Sequence, residues 1–158
     1  MANARIGSHP SHGYQLAETI DTTGKQLGWN DSGKLFFCVQ NATADVLVYL
    51  PKLSTEIAGW HAKFILKTTA ANDFGIVAYG SSATVGVGAT DGDSDSIVFM
   101  EFPSGDDGGA GTMDADSDLI YFKASVSEAG NVIEMHTDGT KWYAQAWTRT
   151  PADVDDVS

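Results

Sequence analysis

A chain of 158 residues, 42% of them hydrophobic, suits one domain that can bury a real core, and its single cysteine excludes a disulfide framework as the basis of the fold. Nine lysines and arginines against 21 aspartates and glutamates leave a formal net charge of −12, which works against binding to nucleic acid or to an anionic membrane. No run approaches the ~18 apolar residues of a membrane span, and Met1–Tyr14 lacks the apolar centre of a secretory signal, so a protein made in the cytoplasm and used without export is expected.

Residues 1–13 are polar, with Gly7, Pro10 and Gly13 and a lone permanent charge at Arg5, and read as an extended arm. From Tyr14 onward short apolar runs alternate with turn residues. They predict strands at Tyr14–Ile20, Lys34–Gln40, Val46–Leu50, Trp60–Lys67, Phe74–Tyr79, Thr84–Ala89, Ile97–Phe102, Leu119–Ala124, Val132–Thr137 and Lys141–Thr148. No run carries a sustained helical stripe, and the best helical candidate is one turn near Ser54–Ala58, after Pro51. Cys38, inside the run Leu35–Val39, reads as a small buried hydrophobe. That run and Val46–Leu50 are continuously apolar, so each is expected to be buried on both sides, or on one side with a partner covering the other.

Asp138-Gly139 separates two strand patterns and predicts an antiparallel hairpin with a type I′ turn, Trp142 and Tyr143 lying on opposite faces. Thr90–Ser96 and Pro103–Ser117 concentrate Gly, Asp and Ser and read as loops. The expected fold is therefore all-β, an antiparallel β-sandwich of jelly-roll type. It is divided into an arm (residues 1–13), a sandwich domain (14–148) and an acidic surface tail (149–158).

Asp91-Gly92-Asp93-Ser94-Asp95 and Asp114-Ala115-Asp116-Ser117-Asp118 place carboxylates at alternate positions, as a calcium loop would. A calcium hand needs glycine at the sixth position and glutamate at the twelfth. Ser96 and Phe102 stand there in the first segment, Leu119 and Ser125 in the second, so both read as solvated acidic loops and no metal is expected. His9, His12, His61 and His136 have no zinc-like spacing. No nucleophile elbow, phosphate loop or metalloprotease helix is present, so neither an enzyme nor a cofactor is expected. Trp29, Trp60, Trp142 and Trp147, with Tyr14, Tyr49, Tyr79, Tyr121 and Tyr143, are a stock of sugar-stacking surfaces, although most sit in strands where core or subunit packing is the ordinary role.

Several segments occur in a telling order: Ser32-Gly33-Lys34-Leu35-Phe36, Val46-Leu47-Val48-Tyr49-Leu50-Pro51, Gly59-Trp60 with Phe64-Ile65-Leu66, Gly75-Ile76-Val77, Val132-Ile133-Glu134-Met135, and Asp138-Gly139-Thr140-Lys141-Trp142-Tyr143. From Trp29 to Trp147 this arrangement resembles the β-sandwich modules of bacteriophage virion proteins. The resemblance implies a structural protein of the virion that decorates and cements the capsid exterior, assembles with itself as a homotrimer and binds the major capsid protein. Such a protein is made in the host cytoplasm and ends on the capsid surface. The arm would then strap onto the shell through Arg5, His9, His12 and Tyr14, gaining order on binding. The alternative implied role is a tail-fibre or receptor-binding module that recognises a host glycan. A short chain with no shaft or coiled-coil stretch favours the capsid role.

Overall fold

Runs of four to eight apolar-rich residues, with β-branched and aromatic side chains at alternate positions, gain most by pairing as strands with one face buried. The computed structural model describes residues 16–83, 96–103, 113–150 and 153–157. Its strands are β1 (Leu16–Ile20), β2 (Lys25–Gln26), β3 (Lys34–Val39), β4 (Val46–Tyr49), β5 (His61–Thr68), β6 (Phe74–Val77), β7 (Ile97–Pro103), β8 (Met113–Ser117), β9 (Leu119–Phe122), β10 (Val132–Thr137), β11 (Trp142–Thr148) and β12 (Val154–Val157). Helix is confined, among the described residues, to the 3-10 turns Trp29–Asp31 and Thr55–Ile57, the second within the expected Ser54–Ala58 turn. The protein is all-β, and no helix among the described residues is long and apolar enough to cross a membrane.

The strands form a seven-stranded sheet in the order β1-β3-β5-β10-β11-β7-β8 and a five-stranded sheet in the order β12-β9-β6-β4-β2. Through β6 the chain lays successive strands alternately in one sheet and the other. Each strand therefore lies beside the strand two before it and runs the same way: β1 with β3, β3 with β5, β2 with β4 and β4 with β6 are all parallel. The second half adds antiparallel pairs, β7 with β8 and β10 with β11 as hairpins, β10 against β5 and β9 against β6, together with one further parallel pair, β11 with β7. The expectation that the strands pair antiparallel throughout is thus corrected: both sheets are mixed. A connection that passes through the opposite sheet returns the chain in its original direction, and apolar alternation specifies a strand without specifying its partner.

Both sheets contribute to one hydrophobic cluster, with Phe36, Phe64, Ile133 and Ala146 from the larger and Val48, Ile76 and Phe122 from the smaller. Phe36 stacks on its cross-strand neighbour Phe64 at 5.1 Å, and Trp60 meets Trp142 edge to face at the same distance. Each such side chain contributes roughly 1.5–3 kcal/mol by leaving water. Cys38 is fully buried in this cluster, and burial pushes its thiol well above the ordinary range, which makes it an inert core residue.

Two local expectations change. The β10–β11 hairpin forms, but its connection is the four residues 138–141, and of the predicted pair only Gly139 has a positive φ, at 92°. The Asp138 carboxylate organises the turn instead, with Oδ1 accepting from the Thr140 N–H at 2.7 Å and the Lys141 N–H at 3.0 Å. Residues 149–158, expected as an acidic surface tail, contain β12, which pairs antiparallel with β9. Asp153 sets that strand in place. It is 1% exposed, and its carboxylate accepts from the Asn131 amide, the Arg149 and Thr150 N–H groups and the Thr150 hydroxyl, so its buried charge is fully hydrogen-bonded. The arm, the strand expected at Thr84–Ala89 and most of the two Gly/Asp/Ser loops lie outside the described residues.

Candidate functional site

Alternation along a strand sends every second side chain away from the core, and register then decides which of these outward residues meet. On the outer face of the seven-stranded sheet, Thr19, Phe37, Ile65, Val132, Trp147 and Phe102 stand directly opposite one another from β1 to β7. Five of the six are apolar, and at ~4.8 Å between strands the apolar part spans about 19 Å. Phe37, Ile65 and Val132 are half-buried, whereas Trp147 and Phe102 stack at 6.0 Å with 40% and 41% of their surface exposed.

A second row, Leu35, Lys63, Glu134, Gln145 and Met100, runs beside the first. Lys63 and Glu134 form an ion pair at 2.7 Å there, so the charge of the row cancels within the sheet. A third row sets His61 against His136, then Tyr143 and Val98, with the imidazoles stacked at 6.0 Å. Across these rows the charged residues are Lys63 and Glu134, so the face is nearly neutral on a chain of net charge −12. Aromatic, Met and charge-poor surface of this kind is typical of the centre of a protein interface.

A different feature lies where the two 3-10 turns meet. Trp29 is 73% exposed and lines a cleft of about 400 Å³ together with Glu56 and Ile57. The backbone beneath the indole is tightly held. Asp31 accepts the Gly28 N–H at 2.8 Å and pairs with Lys34 at 2.6 Å, and the Gly28 carbonyl accepts the Trp60 indole N–H at 3.0 Å. Burial opposes ionisation of Asp31, but the Gly28 N–H and Lys34 outweigh it and hold the carboxyl below its usual range. An indole left this open forgoes on the order of 2–3 kcal/mol of possible burial.

The sequence candidates distribute unevenly over these features. Arg5, His9, His12 and Tyr14, the expected capsid contacts, lie outside the described residues, as does the Asp91–Asp95 segment. In the second acidic segment, Asp114–Ser117 belongs to β8 and Asp118 is fully buried between β8 and β9, so it is a strand junction rather than an open loop. No group of three His, Cys, Asp or Glu side chains suited to a metal is found among the described residues. Of the aromatic stock, Trp60, Trp142 and Tyr121 are buried, while Trp29, Trp147, Tyr79 and Tyr143 are exposed. The alternation Trp142-in, Tyr143-out follows from sequence; the row linking Phe37 to Phe102 needs the strand register, and the Trp29 cleft has no sequence signal beyond a lone tryptophan before Asn30-Asp31. Comparisons with protein-family models, with curated proteins and with solved structures find no match.

Proposed function

We propose that the protein is a structural component of a phage virion that decorates and cements the capsid exterior as a homo-oligomer, expected to be a trimer, bound to the major capsid protein. In this reading the two sheets form a β-sandwich, and the outer face of the seven-stranded sheet is the contact between copies. The observation that carries it is the pairing of an apolar row with near-neutral charge on that face. Molecules of net charge −12 repel one another unless they meet through such a patch. The ordered motifs shared with phage β-sandwich modules support the setting, and the buried contact supplies the cementing force.

The test is sedimentation velocity of the wild type and of the Phe102→Glu/Trp147→Glu double variant. The wild type should assemble at micromolar concentration, and the variant should remain monomeric with an unchanged far-ultraviolet spectrum. A wild type that stays monomeric at about 100 µM, well above the Kd of an ordinary specific interface, removes the contact reading. Antibody labelling of purified virions tests the setting: label on the head supports decoration, and label on the tail supports a receptor-binding role instead.

A further inference from the structure

The Trp29 cleft differs from the sheet face in shape and chemistry. It is a small concavity, not a flat row, and it combines one open indole with one carboxylate and an aliphatic side chain. Both walls are fixed. Under the indole wall, the Gly28–Ser32 turn is closed by the Ser32 N–H to the Trp29 carbonyl, by Asp31 and by the Trp60 indole. Under the other wall, the Ile57 N–H donates to the Ser54 carbonyl at 3.1 Å and the Trp60 N–H to the Ile57 carbonyl at 2.8 Å, and Ile57 itself is 9% exposed. Gly139 packs so closely behind Ser54 that a Cβ there would lie 2.7 Å from the Ser54 carbonyl oxygen. Neither wall needs to be ordered by a ligand.

Charge and size narrow what fits. An anion meets Glu56 and the field of a chain at −12. A purely apolar group would strip water from the Glu56 carboxylate without replacing its hydrogen bonds. An organic ammonium is drawn to both an indole and a carboxylate, but it binds well where aromatic faces surround it, and among the described residues Trp29 is the one aromatic lining a cleft of about 400 Å³. A neutral pyranose meets every requirement. Its C–H face stacks on an indole, its vicinal hydroxyls donate to a carboxylate, and one or two rings fill the volume.

We propose that this cleft is a binding site for a neutral pyranose sugar, with Trp29 as the stacking platform, Glu56 as the hydroxyl acceptor and Ile57 as the apolar rim. The site is separate from the sheet face and does not depend on virion membership. At ordinary ligand efficiency a ring of about twelve heavy atoms reaches a Kd of about 1 mM, so the affinity is that of a single subsite that gains strength through several copies.

The test is saturation-transfer NMR on the full chain with the methyl glycosides of glucose, galactose and mannose, with maltotriose and cellotriose, and with tetramethylammonium as the competing class. At least one sugar should receive saturation through its ring C–H protons. Trp29→Ala and Glu56→Ala should each weaken it at least about tenfold, and Trp29→Phe should keep part of the signal on its smaller ring. Both wild-type side chains are exposed, so the variants should keep the wild-type amide spectrum, which is recorded on the same samples. Absence of transfer to every sugar overturns the proposal. So does transfer that survives Trp29→Ala, or binding of tetramethylammonium alone.

Discussion

The two sheets finish their outer faces in opposite ways. On the five-stranded sheet, Val77 and Leu119 point away from the main core yet are fully buried, and Tyr121 is 6% exposed; with Ala83 they form a second cluster on which Leu47 and Tyr49 pack. The rim of that face is acidic, with Asp155 paired to Lys123 at 3.0 Å and reached by the Tyr121 hydroxyl. Burial and the neighbouring carboxylates push Tyr121 up to about 12, so the phenol stays protonated. On the seven-stranded sheet the same kind of outward position holds Phe102 and Trp147, open to solvent and ringed by little charge. Outward direction in a strand therefore says nothing by itself about function. What matters is whether the side chain is covered: on one face Val77, Leu119 and Tyr121 are, and on the other Phe102 and Trp147 are not.

Matched truncations break this comparison most directly. Leu119→Ala, on the sealed face, should destabilise the fold by about 3 kcal/mol, because it removes a fully buried side chain and leaves a cavity. Trp147→Ala, on the open face, should cost about 1 kcal/mol or less in the monomer while sharply weakening self-association. Urea unfolding gives the first number and sedimentation the second. Equal losses of stability would show that the two faces do not differ as described.

The open sheet nonetheless has a closed end. At the β10–β11 turn Gly139 holds φ at 92° and lies against Ser54, so Gly139→Ala adds both backbone strain and a clash with backbone at 2.7 Å. A loss of about 2 kcal/mol is expected in thermal or urea unfolding, smaller than at Leu119 and larger than at Trp147. A neutral outcome would mean that the turn yields, and the fixed walls assigned to the Trp29 cleft would then lose their support.

Most strands were legible because each carries enough alternating apolar residues to demand a buried face; Val132–Thr137 coincides with β10 to the residue. The strands that escaped lack such a pattern. Lys25-Gln26 is polar and becomes β2 only by lying parallel to Val48-Tyr49, and Val154-Asp155-Asp156-Val157 resembles a solvated tail until β9 and the Asp153 hydrogen bonds hold it. Asp114–Asp118 reads as a solvated acidic loop because its aspartates alternate, and pairing with β7 draws Asp114–Ser117 into β8. The parallel pairings were illegible for the same reason: pattern is local, partner choice is not. The candidate surfaces follow suit, since Tyr143 and Trp147 are visibly outward but their alignment with Phe37 across the sheet is a product of register.

The smallest expected effect sharpens the contrast through its sign. In the seven-stranded sheet, the hydrogen bond from Lys25, with Lys34 assisting at 3.3 Å and against a modest burial penalty, holds Glu18 of edge strand β1 below its ordinary value near 4.5. A lowered carboxyl contributes stability that is complete above its unfolded pKa and is lost as pH falls through the folded one, so acid loosens β1. In the five-stranded sheet, Asp73 is 4% exposed; burial raises its pKa above 3.8, Asp45 and Asp155 add to the rise, and the Ala124 N–H and Lys123 only partly offset it. A raised carboxyl costs stability once ionised, so falling pH relieves that cost at β6. Urea unfolding near pH 7 and near pH 3 should therefore show opposite changes in two variants. Glu18→Gln removes part of the wild type's loss of stability in acid, by up to about 1 kcal/mol for a half-exposed ion pair. Asp73→Asn makes that loss steeper, because it deletes the one of these two groups that acid relieves. Changes of the same sign would mean that the two carboxyls are not held as the geometry of the two sheets requires.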